Sequence, residues 1–169
     1  TSLGQKDMPW PERFPFTDGQ RNQASINART TFRADPTGPG FIGISYEGRL
    51  LRLHPTNGVT TLAGIRTRSS VVPYSPFDTD ADDEREANQW DVVGTFDQDT
   101  LFNRPQDFAV DPSDPSIIYV ADTYNRVIRK VDLSGAEAQI TTFAGALGQA
   151  GFADGIGAAA RFNTPWSIE

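Results

Sequence analysis

In Ile117-Ile118-Tyr119-Val120-Ala121-Asp122-Thr123-Tyr124-Asn125-Arg126-Val127-Ile128-Arg129-Lys130-Val131-Asp132, two runs rich in β-branched residues flank the polar segment Asp122–Asn125. Val, Ile and Tyr suit the pleated, half-buried surface of a sheet, and each run is too short for a helix. Asp and Asn favour a turn, because their side chains hydrogen-bond nearby backbone. The stretch is predicted to be two adjacent antiparallel strands.

The pattern continues on both sides. Short apolar runs lie at about 106–110, 116–121, 126–132 and 139–144, separated by Asp111-Pro-Ser-Asp-Pro115, by Asp122–Asn125 and by Leu133-Ser-Gly135-Ala. Earlier in the chain the same plan appears at about 30–34, 41–46, 49–54 and 58–63. Its separators are Asp35-Pro-Thr-Gly-Pro-Gly40, Glu47-Gly48 and Pro55-Thr-Asn57-Gly58, and Asn-Gly is a strong hairpin signal. Each set of four strands with tight turns is predicted to be an antiparallel meander, and no amphipathic helix is expected.

The resemblance between the sets extends to the letters. Phe16-Thr-Asp18-Gly19 through Ile26-Asn27 returns without a gap as Phe152-Ala-Asp154-Gly155 through Phe162-Asn163. Ile26-Asn27 through Asp35-Pro36 matches Phe102-Asn103 through Asp111-Pro112, and Thr60-Thr-Leu-Ala63-Gly64 matches Thr141-Thr-Phe-Ala144-Gly145. Self-similarity at such a period marks a repeat architecture.

Phe102-Asn-Arg-Pro105, Tyr119-Val-Ala-Asp122-Thr-Tyr-Asn125-Arg126-Val-Ile-Arg129-Lys-Val131, Thr141-Thr-Phe-Ala-Gly145 and Gly151-Phe-Ala-Asp-Gly155, taken in order, resemble an NHL repeat. That repeat is a β-propeller blade named for its Asn-His-Leu segment, and the match spans roughly 102–163. Residues 16–64 resemble a degenerate second copy, with Ser45-Tyr46-Glu47-Gly48 for the Ala-Asp-x-x-Asn turn and Leu51-Arg52-Leu53 for Ile-Arg-Lys-Val. Neither copy has the name-giving His; Arg126 and Arg49 stand there.

The resemblance implies an all-β fold of two four-stranded antiparallel propeller-type blades. A lead-in covers 1–15. The degenerate blade covers 16–101, including a long acidic connection at 65–101 without clear strands. The second blade covers 102–161, and 162–169 start a third repeat. In such a blade Asp122 and Asn125 are expected to cap the turn, Arg129 to pair with a carboxylate, and Ala121 to let strands approach. Propellers close with at least four blades, and NHL propellers typically use six. The ring is therefore expected to be completed by further blades of the same polypeptide or by other copies of the chain, as a ring or a filament. The chain opens at Thr1 with no basic-then-apolar leader, which reads as a processed, trimmed or partial polypeptide.

The net charge of −7 is unevenly spread. Residues 78–99 hold nine acids and the single base Arg85, a net of −8, which leaves +1 for the rest. The run Asp78-Thr-Asp80-Ala-Asp82-Asp83-Glu84-Arg-Glu86 places oxygens at alternating positions, as a calcium loop does. It has Asp83 at the sixth position, where such a loop needs Gly, and Gln89 at the twelfth, where it needs Glu. The first reading is thus a solvated acidic loop, with calcium at 78–89 as the alternative. No other cofactor is expected.

Other chemistry is limited. His54 is the only histidine, whereas the related amidating lyase binds metal through several His near the axis; His54, beside Pro55, reads as a turn residue. The chain has no Cys, which removes disulfides and thiolate sites. No catalytic, cofactor or metal residues are assigned. Some NHL propellers bind RNA through a basic face. Here Arg126, Arg129 and Lys130 cluster in sequence, but alternate strand residues point to opposite faces, and the net charge opposes phosphate binding. No nucleic acid is expected, and no run is long and apolar enough for a membrane helix. Trp166, in register with Gln106, is expected to pack between blades or against the next unit.

The function expected is a non-enzymatic structural or protein-interaction module, a scaffold or repeating subunit in an extracellular or cell-surface setting. The competing reading is part of an NHL-propeller lyase or hydrolase whose catalytic residues lie on other blades.

Overall fold

The computed structural model describes residue 26 and residues 29–68, 90–96 and 101–169. The lead-in 1–15, nearly all of the copy at 16–27 and the acidic run 78–89 lie outside the described residues.

The fold is all-β. In sheet A, β1 (Thr30–Ala34), β2 (Phe41–Ser45), β3 (Arg49–His54) and β4 (Gly58–Arg68) form an antiparallel meander. In sheet B, β7 (Asp107–Val110), β8 (Ile117–Asp122), β9 (Val127–Asp132) and β10 (Gln139–Gly145) repeat it. A 3-10 turn at Gly157–Ala159 is the one helical element among the described residues. These are propeller-like blades, with strand positions that follow the sequence pattern closely.

The connection 65–101 corrects the sequence reading. Strand β4 continues to Arg68, β5 (Trp90–Val93) pairs antiparallel with it, and β6 (Thr95–Phe96) pairs in parallel with β10. Each sheet therefore gains a short fifth strand at its edge. Gly94 separates the two, and its φ of 94° lets the chain pass from one sheet to the other. Runs of four and two residues carry too little periodicity to be read from sequence.

Turn chemistry repeats as well. Asp35 accepts from the Thr37 N–H at 2.8 Å, and its counterpart Asp111 accepts from the Ser113 N–H at 2.8 Å. In the β3–β4 turn, His54 Nδ1 accepts from the backbone N–H groups of Thr56 and Asn57, both at 3.2 Å. His54 is a turn residue, as its neighbours suggest.

Strand registers fix the equivalence between blades. A bulge skips Leu62 in β4 and Phe143 in β10, so Thr61 matches Thr142 and Gly64 matches Gly145. Leu51 then matches Arg129, Arg52 matches Lys130, and Ser45 matches Asp122. The letter-based pairing of Arg52 with Arg129 and Tyr46 with Asp122 is thus off by one residue. The cause is the first blade's β1–β2 connection: Phe32 faces Gly43 eleven residues on, whereas Phe108 faces Val120 twelve residues on, so the first connection is one residue shorter.

One core joins the two blades. Ile42, Ile44, Leu50 and Ala63 of sheet A pack on Phe108, Ile118, Val120, Val131 and Ile140 of sheet B. Each Val, Leu, Ile or Phe side chain fully buried this way contributes about 1.5–3 kcal/mol. The opposite face of sheet A holds a smaller cluster, Leu51 and Val59, partly covered by Ile26 and Leu53.

Candidate functional site at the seam between the blades

The turn of the second blade is locked from inside. The Asp122 carboxylate accepts from the Asn103 N–H at 2.7 Å, from the Asn125 amide at 2.8 Å and from Arg129 Nε at 3.2 Å. Asn125 also donates to the Leu101 carbonyl at 2.8 Å, and Arg129 to Thr142 Oγ1 at 2.9 Å. Asp122 and Arg129 are wholly buried. Burial pushes the Asp122 carboxyl up, to about 6, while its three donors pull the other way. The acid and amide therefore tie the turn to the incoming segment 101–103, and Arg129 has the carboxylate partner expected for it.

The first blade solves the same problem differently. Ser45 stands where Asp122 would, and the buried guanidinium comes from Arg49, two residues before the position of Arg129 on the same strand face. Arg49 Nε donates to Thr61 Oγ1 at 2.8 Å, so each buried arginine reaches the equivalent threonine.

A second repeating contact explains the Ala-Gly of the repeat. Phe102, the first residue of its unit, sits over Gly64, and Phe162 sits over Gly145. Both glycines have positive φ, 92° and 94°. A side chain at either would meet backbone of the preceding turn as well as the ring.

The innermost strands meet at Asp107. Its carboxylate accepts from Arg33 of β1 at 2.9 Å, from its neighbour Phe108 N–H at 2.9 Å, from Ser167 Oγ at 2.9 Å and from Ile168 N–H at 3.2 Å. Burial alone would push this carboxyl up. The hydroxyl, the two N–H groups and the guanidinium outweigh burial and hold it below the ordinary 3.8. Thr31, Asp107 and Ser167 are the corresponding residues of three successive units, so three segments converge here.

Beside this junction, at the β2–β3 and β8–β9 turn end, a cleft of about 460 Å³ is lined by Arg29, Thr30, Tyr46, Gln106, Tyr124 and Trp166, among others. Thr30, Gln106 and Trp166 are again equivalent positions. Arg29 lies over the Tyr46 ring at 5.1 Å. Arg104 lies over Tyr46 at 5.6 Å and over Tyr124 at 4.6 Å. Cations and aromatic faces therefore alternate, Arg29–Tyr46–Arg104–Tyr124, an attractive order. Arg104 adopts φ 48°, a left-handed conformation uncommon for a residue with a side chain. Nearby Glu47 is pushed up to about 6, chiefly by burial.

At the other end of the seam, a larger cleft of about 720 Å³ is lined by turn residues including Arg52, Asp114 and Ser116. Its polar groups serve the fold: Arg52 pairs with Asp35 at 2.6 Å, and Asp114 accepts from Ser116 at 2.6 Å.

The sequence cluster Arg126, Arg129, Lys130 does not form a surface patch. Arg129 is buried, Arg126 donates to the Gly148 carbonyl at 2.8 Å, and Lys130 lies on the opposite face of β9. Trp166 is 65% exposed and lines the cleft instead of being enclosed between blades. The arginine–tyrosine stack escaped sequence reading because its cations break the repeat: by letter register, Arg104 matches Ala28 and Arg29 matches Pro105. The recurring turn tyrosines, Tyr46 and Tyr124, were the available signal. Among the described residues no group of three or more His, Asp or Glu converges as a metal site, and no helix is long and apolar enough to cross a membrane.

No family model and no curated protein matches the chain. Among solved structures, it is similar to a structural genomics protein of unknown function from Bacteroides thetaiotaomicron, with 16% identity and a TM-score of 0.53. The match covers 82% of this chain and 29% of that one, so this chain spans less than a third of that protein's length. The likeness is one of fold.

Proposed function

We propose that the chain is a non-enzymatic structural and protein-interaction module built from NHL-type repeats, whose outer blade faces pack against further blade units. One comparison carries this reading. Phe108 is 0% exposed and Ile118 is 0% exposed, under the first blade; their equivalents Phe32 and Phe41 are 40% and 49% exposed. The same position is thus core where a neighbouring blade covers it and surface where the described residues place none. On the far side, sheet B presents Tyr119 edge-on to Phe143, with centroids 4.9 Å apart and Phe143 exposed. Large apolar groups on two opposite faces are what repeat units present to their neighbours.

The partner is further repeat sequence of the same polypeptide in preference to an intact copy of this chain. Residues 162–169 already occupy the next seam, with Phe162 over Gly145, Thr123 Oγ1 donating to the Pro165 carbonyl at 2.7 Å, and Ser167 on Asp107. By the repeat, a copy docking in that register would bring its own 26–33 to the same place.

Static light scattering and a hydrophobic-surface dye on the 169-residue chain test the proposal. The expected result is dye binding by the intact chain and a mass that rises above 18.5 kDa when 162–169 are deleted. A dye-silent 18.5 kDa monomer with a sharp unfolding transition would refute it.

A further inference from the structure

We propose that Asn57 is a site of spontaneous covalent modification: its side-chain amide closes onto the Gly58 backbone nitrogen, and the resulting ring opens to aspartate and isoaspartate. The donor that promotes closure is the Thr56 hydroxyl. The site is independent of blade stacking.

The chain has seven asparagines, and Asn57 is the one followed by glycine. With no Cβ on Gly58, its amide nitrogen can approach a carbonyl carbon closely. Gly58 also has φ 84°, so the turn itself calls for glycine there. Asn57 is exposed in the β3–β4 turn, which leaves its side chain room to rotate toward that nitrogen. The other described asparagines lack this combination. Asn125 is buried with its amide bound to Leu101 and Asp122. Asn103 and Asn163 precede Arg104 and Thr164, whose side chains crowd the attacking nitrogen.

The surroundings of the amide fit the reaction. Thr56 Oγ1 donates to Asn57 Oδ1 at 3.0 Å and lies 2.9 Å from His54 Nδ1. That ring nitrogen already accepts the N–H groups of Thr56 and Asn57, both at 3.2 Å, so the hydroxyl proton is left for the amide. As the Gly58 nitrogen bonds to Cγ of Asn57, the carbonyl electron pair moves onto Oδ1, where the hydroxyl stabilises it. The pair then returns, the Cγ–Nδ2 bond breaks, and ammonia leaves with the proton that Gly58 sheds through solvent. Water adds to either carbonyl of the five-membered imide, giving aspartate or isoaspartate with no change of oxidation state. Each product adds one negative charge to the chain's −7. Isoaspartate also adds a backbone carbon between residues 57 and 58, where Gly58 pairs with His54. The next pair inward, Leu53 with Val59, belongs to the outer cluster of sheet A, so the altered turn bears on that cluster.

Incubation of the full chain in mildly alkaline buffer, followed by peptide mass spectrometry and isoaspartate-specific enzymatic methylation, tests this. Asn57 is expected to lose its amide before every other asparagine and to yield both aspartate and isoaspartate. Asn57→Gln should stay intact, because the longer side chain would have to close a six-membered ring. Thr56→Val keeps the shape of the side chain without its hydroxyl. It should slow the reaction of the folded chain about two- to tenfold, the worth of one hydrogen bond. In urea, where the turn is lost, Thr56→Val and the parent chain should react alike. Thr56 is exposed, so circular dichroism should show Thr56→Val folded. The proposal is overturned if Asn57 keeps its amide or another asparagine reacts before it, or if Asn57 yields aspartate alone. It is equally overturned if Thr56→Val leaves the folded rate unchanged, or slows the urea-unfolded chain as much.

Discussion

Replacing Gly145 by Ala probes the seat on which the next unit rests. Gly145 has φ 94°, and a methyl group there would lie 2.7 Å from the Arg126 carbonyl oxygen, 3.0 Å from Phe162 Cδ2 and 3.1 Å from Val127 Cα. Two costs follow. Holding a side chain in left-handed backbone costs about 1–2 kcal/mol. Forcing a methyl into packed neighbours costs about 1–3 kcal/mol more. Gly148 separates the two, because its φ of 71° carries the first cost while no atom lies within 4 Å of the added carbon. Both variants also gain about 0.4–1 kcal/mol from a stiffer unfolded chain, which cancels in the comparison. Gly145→Ala should therefore lose about 1–3 kcal/mol more than Gly148→Ala. At this chain length that corresponds to roughly 2–12 °C in unfolding midpoint. Urea denaturation followed by circular dichroism at one protein concentration provides the measurement. Adding Phe162→Ala should not restore Gly145→Ala, because the nearest obstacle is backbone. Equal losses for the two glycines would refute the seat, and rescue by Phe162→Ala would refute the backbone as its main obstacle.

Other perturbations test other parts of the seam. Phe108→Ala should cost about 3–5 kcal/mol, and Phe32→Ala at the equivalent, half-open position clearly less; equal losses in denaturation would contradict the blade equivalence. Asp122→Ala should cost about 3–5 kcal/mol by leaving Arg129 buried without its carboxylate. Adding Arg129→Met should recover much of that loss, and an additive double-mutant cycle would count against coupling. Glu47 has a folded value near 6 against an ordinary 4.5, so the folded state holds its proton more tightly. Its contribution is complete below 4.5 and is lost as pH rises through 6; Glu47→Gln should thus gain about 1–2 kcal/mol over wild type at pH 7 and none at pH 4. The folded value of Asp107 lies below 3.8, so its contribution holds above 3.8 and fades as pH falls through the folded value. In an acid titration of stability, Ser167→Ala should make that loss smaller and complete at higher pH; an unchanged profile would remove Ser167 from the network.

The two meanders and their turns were legible because each depends on local rules. Alternating β-branched runs such as Val127–Asp132 bury every second residue, and Asp35 and Asp111 turn the chain through bonds that span two residues. Repetition made the reading stronger, since two independent stretches point to one plan. Other features depend on which distant residues meet. Arg49 stands in for Arg129 from two positions away on the same strand face, an exchange that no letter match exposes. The fifth strands are four and two residues long and form only against an edge that the rest of the fold supplies. Arg29 and Trp166 are unremarkable in sequence, and they share a cleft only when three units converge on Asp107. Local hydrogen bonding and side-chain alternation act within a few residues, so the chain alone specifies them. Burial and charge depend on neighbours about 75 residues away or more, so only the tertiary structure decides them.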